Sequence, residues 1–534
     1  MRFLDDTTRQ SVQHVIDENA AALRSIPGFV SAEPGFPIVD GRILREPAIL
    51  VFVSHKKPAS HLIREERAPR QLGAFRVAVM QASPERQLMA LQDFEPIAES
   101  ITAASSSELT YELIEGNPID NPFDVTAPML CHVGPDAGWP VLKPFLEATR
   151  DTLTTAMYDF NADYIAKTFI DTVRGGGIKA VLTWDDSMVP AETVIRKKLR
   201  DSLGAQLDGW IVKCGADRRF ASAYHEKVAV RDSEVLWLSS GNWSTRSQPE
   251  IDPIAKASDA RGMYSKGNRE WHIIVEDEAL SKLFERYIMY DRNGSEAEVA
   301  AGEGGGVLSV EDFETLPDVF VPLQSLFPSP ELAASVVEPV APKRLPSSAG
   351  PVRIQPVLTP DNYLRRILDL IGSVERSIYL QFSYINYSEA AKDQPFRDML
   401  AMLADLSFKP AIDVRIIVGS ADAADKIRKL AENGFNDSVF RTQSNIHNKG
   451  IVVDGKIVLV SSTNWSSDGV LRNRDAGLII HDGEIAGYFQ DVFLQDWNDR
   501  ARTTLDDDSP VILATDGAET PPGMVRMAWR DYFG

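Results

Sequence analysis

Two of the eight histidines in this chain of 534 residues sit in the same local setting. The first run, Tyr224-His225-Glu226-Lys227, continues through Asp232 to Ser239-Ser240-Gly241-Asn242-Trp243-Ser244. The second, Ile446-His447-Asn448-Lys449, continues through Asp454 to Ser461-Ser462-Thr463-Asn464-Trp465-Ser466. The matched residues share one constant offset, so this is an internal duplication. A neutral imidazole is a nucleophile, and a protonated one is an acid. A lysine two residues on is a fixed cation, and asparagine is a neutral donor. Together they are what displacement at phosphorus requires: an attacking group, positive charge around the equatorial oxygens, and a proton for the leaving oxygen. Each half carries one such histidine and the two-step chemistry needs two, which predicts one site at a pseudo-twofold interface.

Strands must position these groups. Side chains two apart on a strand share a face, so His225 with Lys227, and His447 with Lys449, point the same way. The apolar run after each lysine reads as a strand, and Asp454-Gly455 marks a hairpin turn, with Asp232-Ser233 at the equivalent place. Asp232 and Asp454 therefore read as structural. Ser240 with Asn242, and Ser462 with Asn464, return beside the histidines. A third block repeats as Asn268-Arg269-Glu270 and Asn473-Arg474-Asp475. Glu270 and Asp475 are each expected to hold a ring nitrogen of the histidine in the same repeat. The interval is longer in the first repeat, and the excess, within 245–267, reads as a substrate-selecting insertion over the site.

The pattern His-x-Lys-(x)4-Asp-(x)6-Gly-Ser-x-Asn resembles the phospholipase D superfamily, and the chain shows it twice. Ser239 and Ser461 stand where that family has glycine, and Asp475 where many members have glutamate. The resemblance implies a phosphodiesterase acting through a phosphohistidine, with His225 as nucleophile and His447 as acid and base. It implies no cofactor and no metal. The residues alone are nearly symmetric and leave the two histidine roles open.

The expected fold class is α/β: two tandem phospholipase D-like α/β sandwich domains related by pseudo-twofold symmetry, plus a small N-terminal α+β module. Residues 1–120 read as that module, with helical spacing over Asp6–Arg24 and strands over Ala48–Ser54 and Ala74–Met80. Strands and helices alternate in 125–292 and again in 351–500. Between them, 293–350 carries Gly304-Gly305-Gly306 and a run of prolines from Pro317 to Pro346, the composition of a linker. Residues 501–534 read as a tail containing the solvated run Asp506-Asp507-Asp508.

His14, His61, His132 and His481 read as ordinary packed or surface residues, His55 as a solvated strand end, and His272 as a packing residue near Glu270. Trp243 and Trp465 read either as loop supports or as platforms for a substrate. Cys131 and Cys214 make neither a disulfide framework nor a zinc site. The N-terminus lacks signal-peptide order and no apolar run reaches membrane-spanning length, which makes the cytoplasm the expected location.

The net charge of −21 repels long nucleic acid and anionic membranes alike, and leaves open a local basic pocket for one phosphate. A phospholipid, hydrolysed or transferred to another alcohol, is the preferred substrate on the two motifs in one chain, the resemblance to bacterial phospholipase D-like proteins and an acidic surface ill suited to gripping nucleic acid. A nuclease of the same superfamily is the alternative, ahead of a cardiolipin-synthase-type transferase and of a binding protein that has lost catalysis. Two repeats in one chain make a monomer sufficient.

Overall fold

The computed structural model describes residues 2–57, 59–90, 109–186, 190–215, 217–300, 318–323, 337–347, 350–419, 423–505, 511–514 and 517–527. Two eight-stranded sheets dominate it, and their strand orders correspond. The first runs Leu207–Val212, Lys179–Asp185, Thr152–Met157, Lys227–Arg231, Val235–Ser239, Glu270–Val275, Met129–Gly134, Lys343–Leu345. The second runs Phe440–Gln443, Asp413–Gly419, Ser377–Phe382, Lys449–Val453, Ile457–Ser461, Ala476–His481, Val352–Leu358, Phe123–Val125. In each sheet the first three strands are parallel and the strand that follows a site histidine pairs antiparallel to the third.

Helices cover both faces. Gly138–Glu147, Asp163–Gly176 and Pro190–Leu203 bury their apolar stripes on the outer face of the first sheet, while Tyr363–Gly372, Gln394–Leu406 and Ala423–Glu432 do so on the second. The inner faces share one core, to which the long helices Glu278–Ala300 and Gly483–Asp499 contribute. The sheets meet where Val235–Ser239 and Glu270–Val275 approach Lys449–Val453 and Ile457–Ser461.

Several boundaries differ from the sequence reading. Phe123–Val125 pairs with Val352–Leu358 of the second sheet, and Lys343–Leu345, inside the expected linker, pairs with Met129–Gly134 of the first. Each connecting segment thus completes the edge of the other repeat's sheet, satisfying an otherwise open ladder. Val319–Pro322, also in the expected linker, forms a three-stranded sheet with Ile512–Leu513 and Met524–Met527 of the expected tail. Gly304–Gly306 and Asp506–Asp508 lie outside the described residues.

The N-terminal module is a four-stranded sheet, Phe29–Gly35, Ala48–Val53, Phe75–Gln81 and Gln71–Leu72, packed on helix Asp6–Glu18. It docks on the second repeat: Phe36 donates its N–H to Glu432 at 2.7 Å, and Arg428 reaches Glu33 at 3.0 Å. Its expected end at residue 120 runs too far. Tyr111 and Ile119 pack in the core shared by the two repeats.

Candidate active site

The turn aspartates explain the local frame. Asp232 and Asp454 adopt positive φ of 56° and 54° at their hairpin tips. Asp232 accepts backbone N–H groups from Arg150, Asp151 and Thr152. Asp454 does the same for Glu375, Arg376 and Ser377. Each ties its hairpin to the start of the neighbouring strand, at the end of the sheet away from the histidines.

At the opposite end the two repeats cross. His225 N donates to Arg474 O at 2.7 Å, and His447 N donates to Arg269 O at 3.2 Å. These bonds bring each histidine against the Asn-Arg-acid block of the other repeat. His225 Nδ1 lies 2.7 Å from Asp475 Oδ1, and His447 Nδ1 lies 2.8 Å from Glu270 Oε1. This corrects the expected pairing within a repeat. Glu270 begins its strand and Asp475 immediately precedes the strand Ala476–His481, at the inter-repeat contact where the other repeat's histidine is the neighbour. The serine contacts stay within the repeat: Ser240 Oγ donates to Glu270 Oε2 at 2.6 Å, and Ser462 Oγ to Asp475 Oδ1 at 2.7 Å. Asp475, one methylene shorter, still reaches its histidine.

Lys227 Nζ bonds His225 O at 2.7 Å. Lys449 Nζ bonds His447 O at 2.5 Å and lies 3.4 Å from Ser240 O across the interface. Asn242 and Asn464 each carry an Oδ1 that is buried and unpaired.

The electrostatics are those of a site waiting for an anion. Burial, then the Lys227 charge, pushes His225 down to about 3 against the pull of Asp475. Burial lowers His447 too, opposed by Glu270. Burial and Lys449 hold Lys227 far below the usual lysine range, while burial brings Lys449 to about 8. Burial works against ionised Glu270, yet His447, Lys449 and Ser240 bring it to about 2. A phosphodiester anion placed among these groups would favour their charged forms, against the burial that depresses all of them and the lysine charges that add to it at His225, Lys227 and His447.

The arginine of each repeated block was not read from sequence as a functional position. Arg269 bonds Asp496 at 2.8 Å and Asp136 at 2.6 Å, and donates to Tyr264 Oη at 2.9 Å. Arg474 bonds Asp291 at 2.7 Å and Asp361 at 2.6 Å, and donates to Tyr111 Oη at 3.0 Å. Both guanidinium groups are fully buried. Each joins acids from both repeats, so the segment carrying the orienting acid is clamped across the interface. The signal was the arginine's recurrence beside the acid. Tyr158 was missed as well: its ring centroid lies 4.6 Å from that of His225 and 4.9 Å from Lys227 Nζ.

Other expectations resolve differently. Trp243 and Trp465 are fully buried: Trp243 packs on Phe160, and Trp465 donates to Tyr363 Oη at 3.1 Å, so neither is a substrate platform. His272 is buried, stacks on His132 at 4.7 Å, and shares a 2.6 Å hydrogen bond with Ser239. The 245–267 insertion packs into the site wall. Ser247 Oγ donates to Glu270, Arg246 reaches Asn445, and Asn445 donates to Tyr264 O. Among the described residues no helix is long and apolar enough to cross a membrane, and no group of three or more His, Cys, Asp and Glu could hold a metal ion.

A family model described as "Cardiolipin synthase, PLD-like domain" matches residues 367–497. A mitochondrial cardiolipin hydrolase of Chlamydomonas reinhardtii is 25% identical over 138 residues, covering 25% of this chain. That match spans little more than half of the relative, 57% of its length. Among solved structures, a phosphatidylserine synthase from Haemophilus influenzae Rd KW20 is 10% identical with a TM-score of 0.46, over 74% of this chain and 93% of that one. The phospholipase D family member Nuc from Salmonella typhimurium is 22% identical with a TM-score of 0.22, over 28% of this chain and 95% of that one.

Proposed function

Because this chain belongs to the phospholipase D superfamily, a superfamily of phosphodiesterases, we propose that it cleaves a phospholipid phosphodiester in two steps through a phosphohistidine. The observation that carries this reading is the crossed pair of contacts, His225 to Asp475 and His447 to Glu270, which gathers both motifs into one site. With Nδ1 of His225 donating to Asp475, the lone pair of Nε2 is free, and a pKa of about 3 keeps it free at neutral pH. Nε2 attacks phosphorus, an N–P bond forms, and the P–O bond to the leaving alcohol breaks. His447, brought to its protonated form by Glu270 and the charge of the bound phosphodiester against the burial that lowers it, gives its Nε2 proton to the leaving oxygen. In the second step His447 takes a proton from water, whose oxygen attacks phosphorus and releases neutral His225. Lys227, Lys449, Asn242 and Asn464 hold the equatorial oxygens as negative charge gathers there.

The net charge of −21 favours a lipid over a nucleic acid, since a long polyanion meets repulsion over most of the surface. The test is turnover in EDTA on phosphatidylcholine, phosphatidylethanolamine and phosphatidylglycerol vesicles, single- and double-stranded DNA, RNA and bis(p-nitrophenyl) phosphate. Headgroup release without nucleic acid cleavage is expected. Cleavage of nucleic acid alone overturns the lipid reading, and turnover that stops in EDTA and returns with a divalent ion overturns the mechanism.

A further inference from the structure

We infer that Tyr158 is a positioning residue for the attacking histidine: its ring holds Lys227 away from the His225 imidazole and leaves Nε2 free to meet phosphorus. The inference rests on the phosphodiesterase reading above and adds the residue that separates two nearly symmetric histidines.

Strand register makes the two repeats comparable at this point. Lys227 pairs with Met157 and Lys449 with Phe382, so Tyr158 and Ser383 hold equivalent positions. Each donates its backbone N–H to the residue between histidine and lysine, Tyr158 to Glu226 O at 2.9 Å and Ser383 to Asn448 O at 3.0 Å. Each lysine donates to the carbonyl of its own histidine. One main-chain frame therefore carries a phenol ring in the first repeat and a hydroxymethyl group in the second.

Beyond that shared carbonyl the two lysines diverge. Lys227 Nζ lies 4.9 Å from the centroid of the Tyr158 ring and makes no hydrogen bond to the His225 ring. Lys449 Nζ instead lies 3.0 Å from both ring nitrogens of His447. Among the described residues no aromatic ring contacts His447. The face of an aromatic ring is negative and attracts an ammonium within about 6 Å of its centroid. Tyr158 thus gives Lys227 a resting place that Lys449 lacks.

The difference bears on what each imidazole can do. Asp475 engages His225 Nδ1 at 2.7 Å, and the Tyr158 ring packs against the imidazole at 4.6 Å with the planes 64° apart. These two contacts fix the rotation of the imidazole, and Nε2 has no hydrogen-bond partner among the described residues. A nucleophile needs that lone pair uncovered and aimed. An ammonium as close as Lys449 is to His447 competes for it. The same closeness suits His447, which exchanges a proton rather than attacking. The Tyr158 hydroxyl has no hydrogen-bond partner among the described residues, so the ring face carries the effect.

The test uses the full chain in excess over bis(p-nitrophenyl) phosphate. Release of p-nitrophenol then reports attack, and decay of the acid-labile adduct reports the second step. Tyr158→Leu should slow attack about ten- to a hundredfold, the cost of a misplaced reacting group. Its half-saturating concentration should stay within about twofold and adduct decay should be unchanged, because Lys227 remains in the site as a cation. Tyr158→Phe keeps the ring face and should attack within about threefold of the wild-type rate. If the leucine variant does not fold, Tyr158→Met replaces it in the comparison with phenylalanine. Wild-type attack by the leucine or methionine variant overturns the inference, as does a phenylalanine variant equally slow. Weakened binding with both steps slowed together also overturns it, since a ring that merely walls the site predicts that pattern. Absence of any adduct, in the wild type and in His447→Ala alike, overturns the phosphohistidine reading and the inference with it. An adduct whose formation ignores position 158 overturns the inference alone.

Discussion

His225 Nδ1 and Asp475 Oδ1 are 2.7 Å apart although 250 residues separate them in the chain, and His447 and Glu270 repeat the relationship in reverse. Each histidine is oriented by the other repeat, so neither half of the chain owns a complete catalytic pair. Removing one acid therefore impairs a defined step. Asp475→Asn should slow formation of the adduct on His225, and Glu270→Gln should slow proton delivery and adduct breakdown. Each loss is expected between about a hundredfold and ten-thousandfold in kcat. Rapid-quench kinetics with an activated leaving group separates them: a reduced burst for the first, a preserved burst with a slow steady state for the second. The opposite pattern would exchange the two histidine roles.

His225→Ala and His447→Ala should each remove nearly all turnover, and the double variant should be little worse than either, because the two act as one unit. With an activated diester, His447→Ala should accumulate a phosphoryl group on His225, acid-labile and stable to mild base. Peptide mapping after quenching without acid checks the position. Retention of a tenth of wild-type turnover by either single variant would remove that histidine from the chemistry.

Residues 125–292 and 351–500, made separately, should each be poorly soluble. The first lacks Lys343–Leu345 and the second lacks Phe123–Val125, so each exposes an unpaired sheet edge. Extending the fragments to include these strands should improve solubility, as read by analytical ultracentrifugation. Monomeric, stable short fragments would show that the exchanged strands are dispensable.

Arg474→Met should destabilise strongly, by about 3–5 kcal/mol, because Asp361 is left as a buried charge with no cation and Asp291 keeps only Arg219, at 3.4 Å. Denaturant unfolding measures this. Replacing the arginine and both acids together by apolar residues should recover most of the loss. A single variant within 1 kcal/mol of wild type, roughly the worth of a surface pair, would show that the clamp is not structural.

Burial depresses His272 to about 4 and His225 to about 3 in the folded chain, below the ordinary 6.5. The unfolded chain therefore binds these protons first, and the stability gained from keeping the rings neutral is full above about pH 6.5. It is lost as pH falls towards 4, at up to about 1.4 kcal/mol per pH unit for each ring. His272→Phe should flatten the thermal-midpoint profile across that window. An unchanged slope would mean that His272 titrates normally in the fold.

The duplication, the strand directions and the facing of each histidine with its lysine were legible in the sequence, because they depend on period-two geometry and local turns. Asp232 and Asp454 were readable as turn residues for the same reason: a positive φ at a hairpin tip is a local event. The pairing of His225 with Asp475, the exchange of Phe123–Val125 and Lys343–Leu345 between sheets, and the clamps at Arg269 and Arg474 were not legible. Each joins segments far apart in the chain, and which acid meets which histidine depends on how two similar sheets pack. Local propensity is identical whether an acid serves its own repeat or the other. The choice is made by the bonds from His225 to Arg474 and from His447 to Arg269, which exist only where the two inner faces bury their shared core.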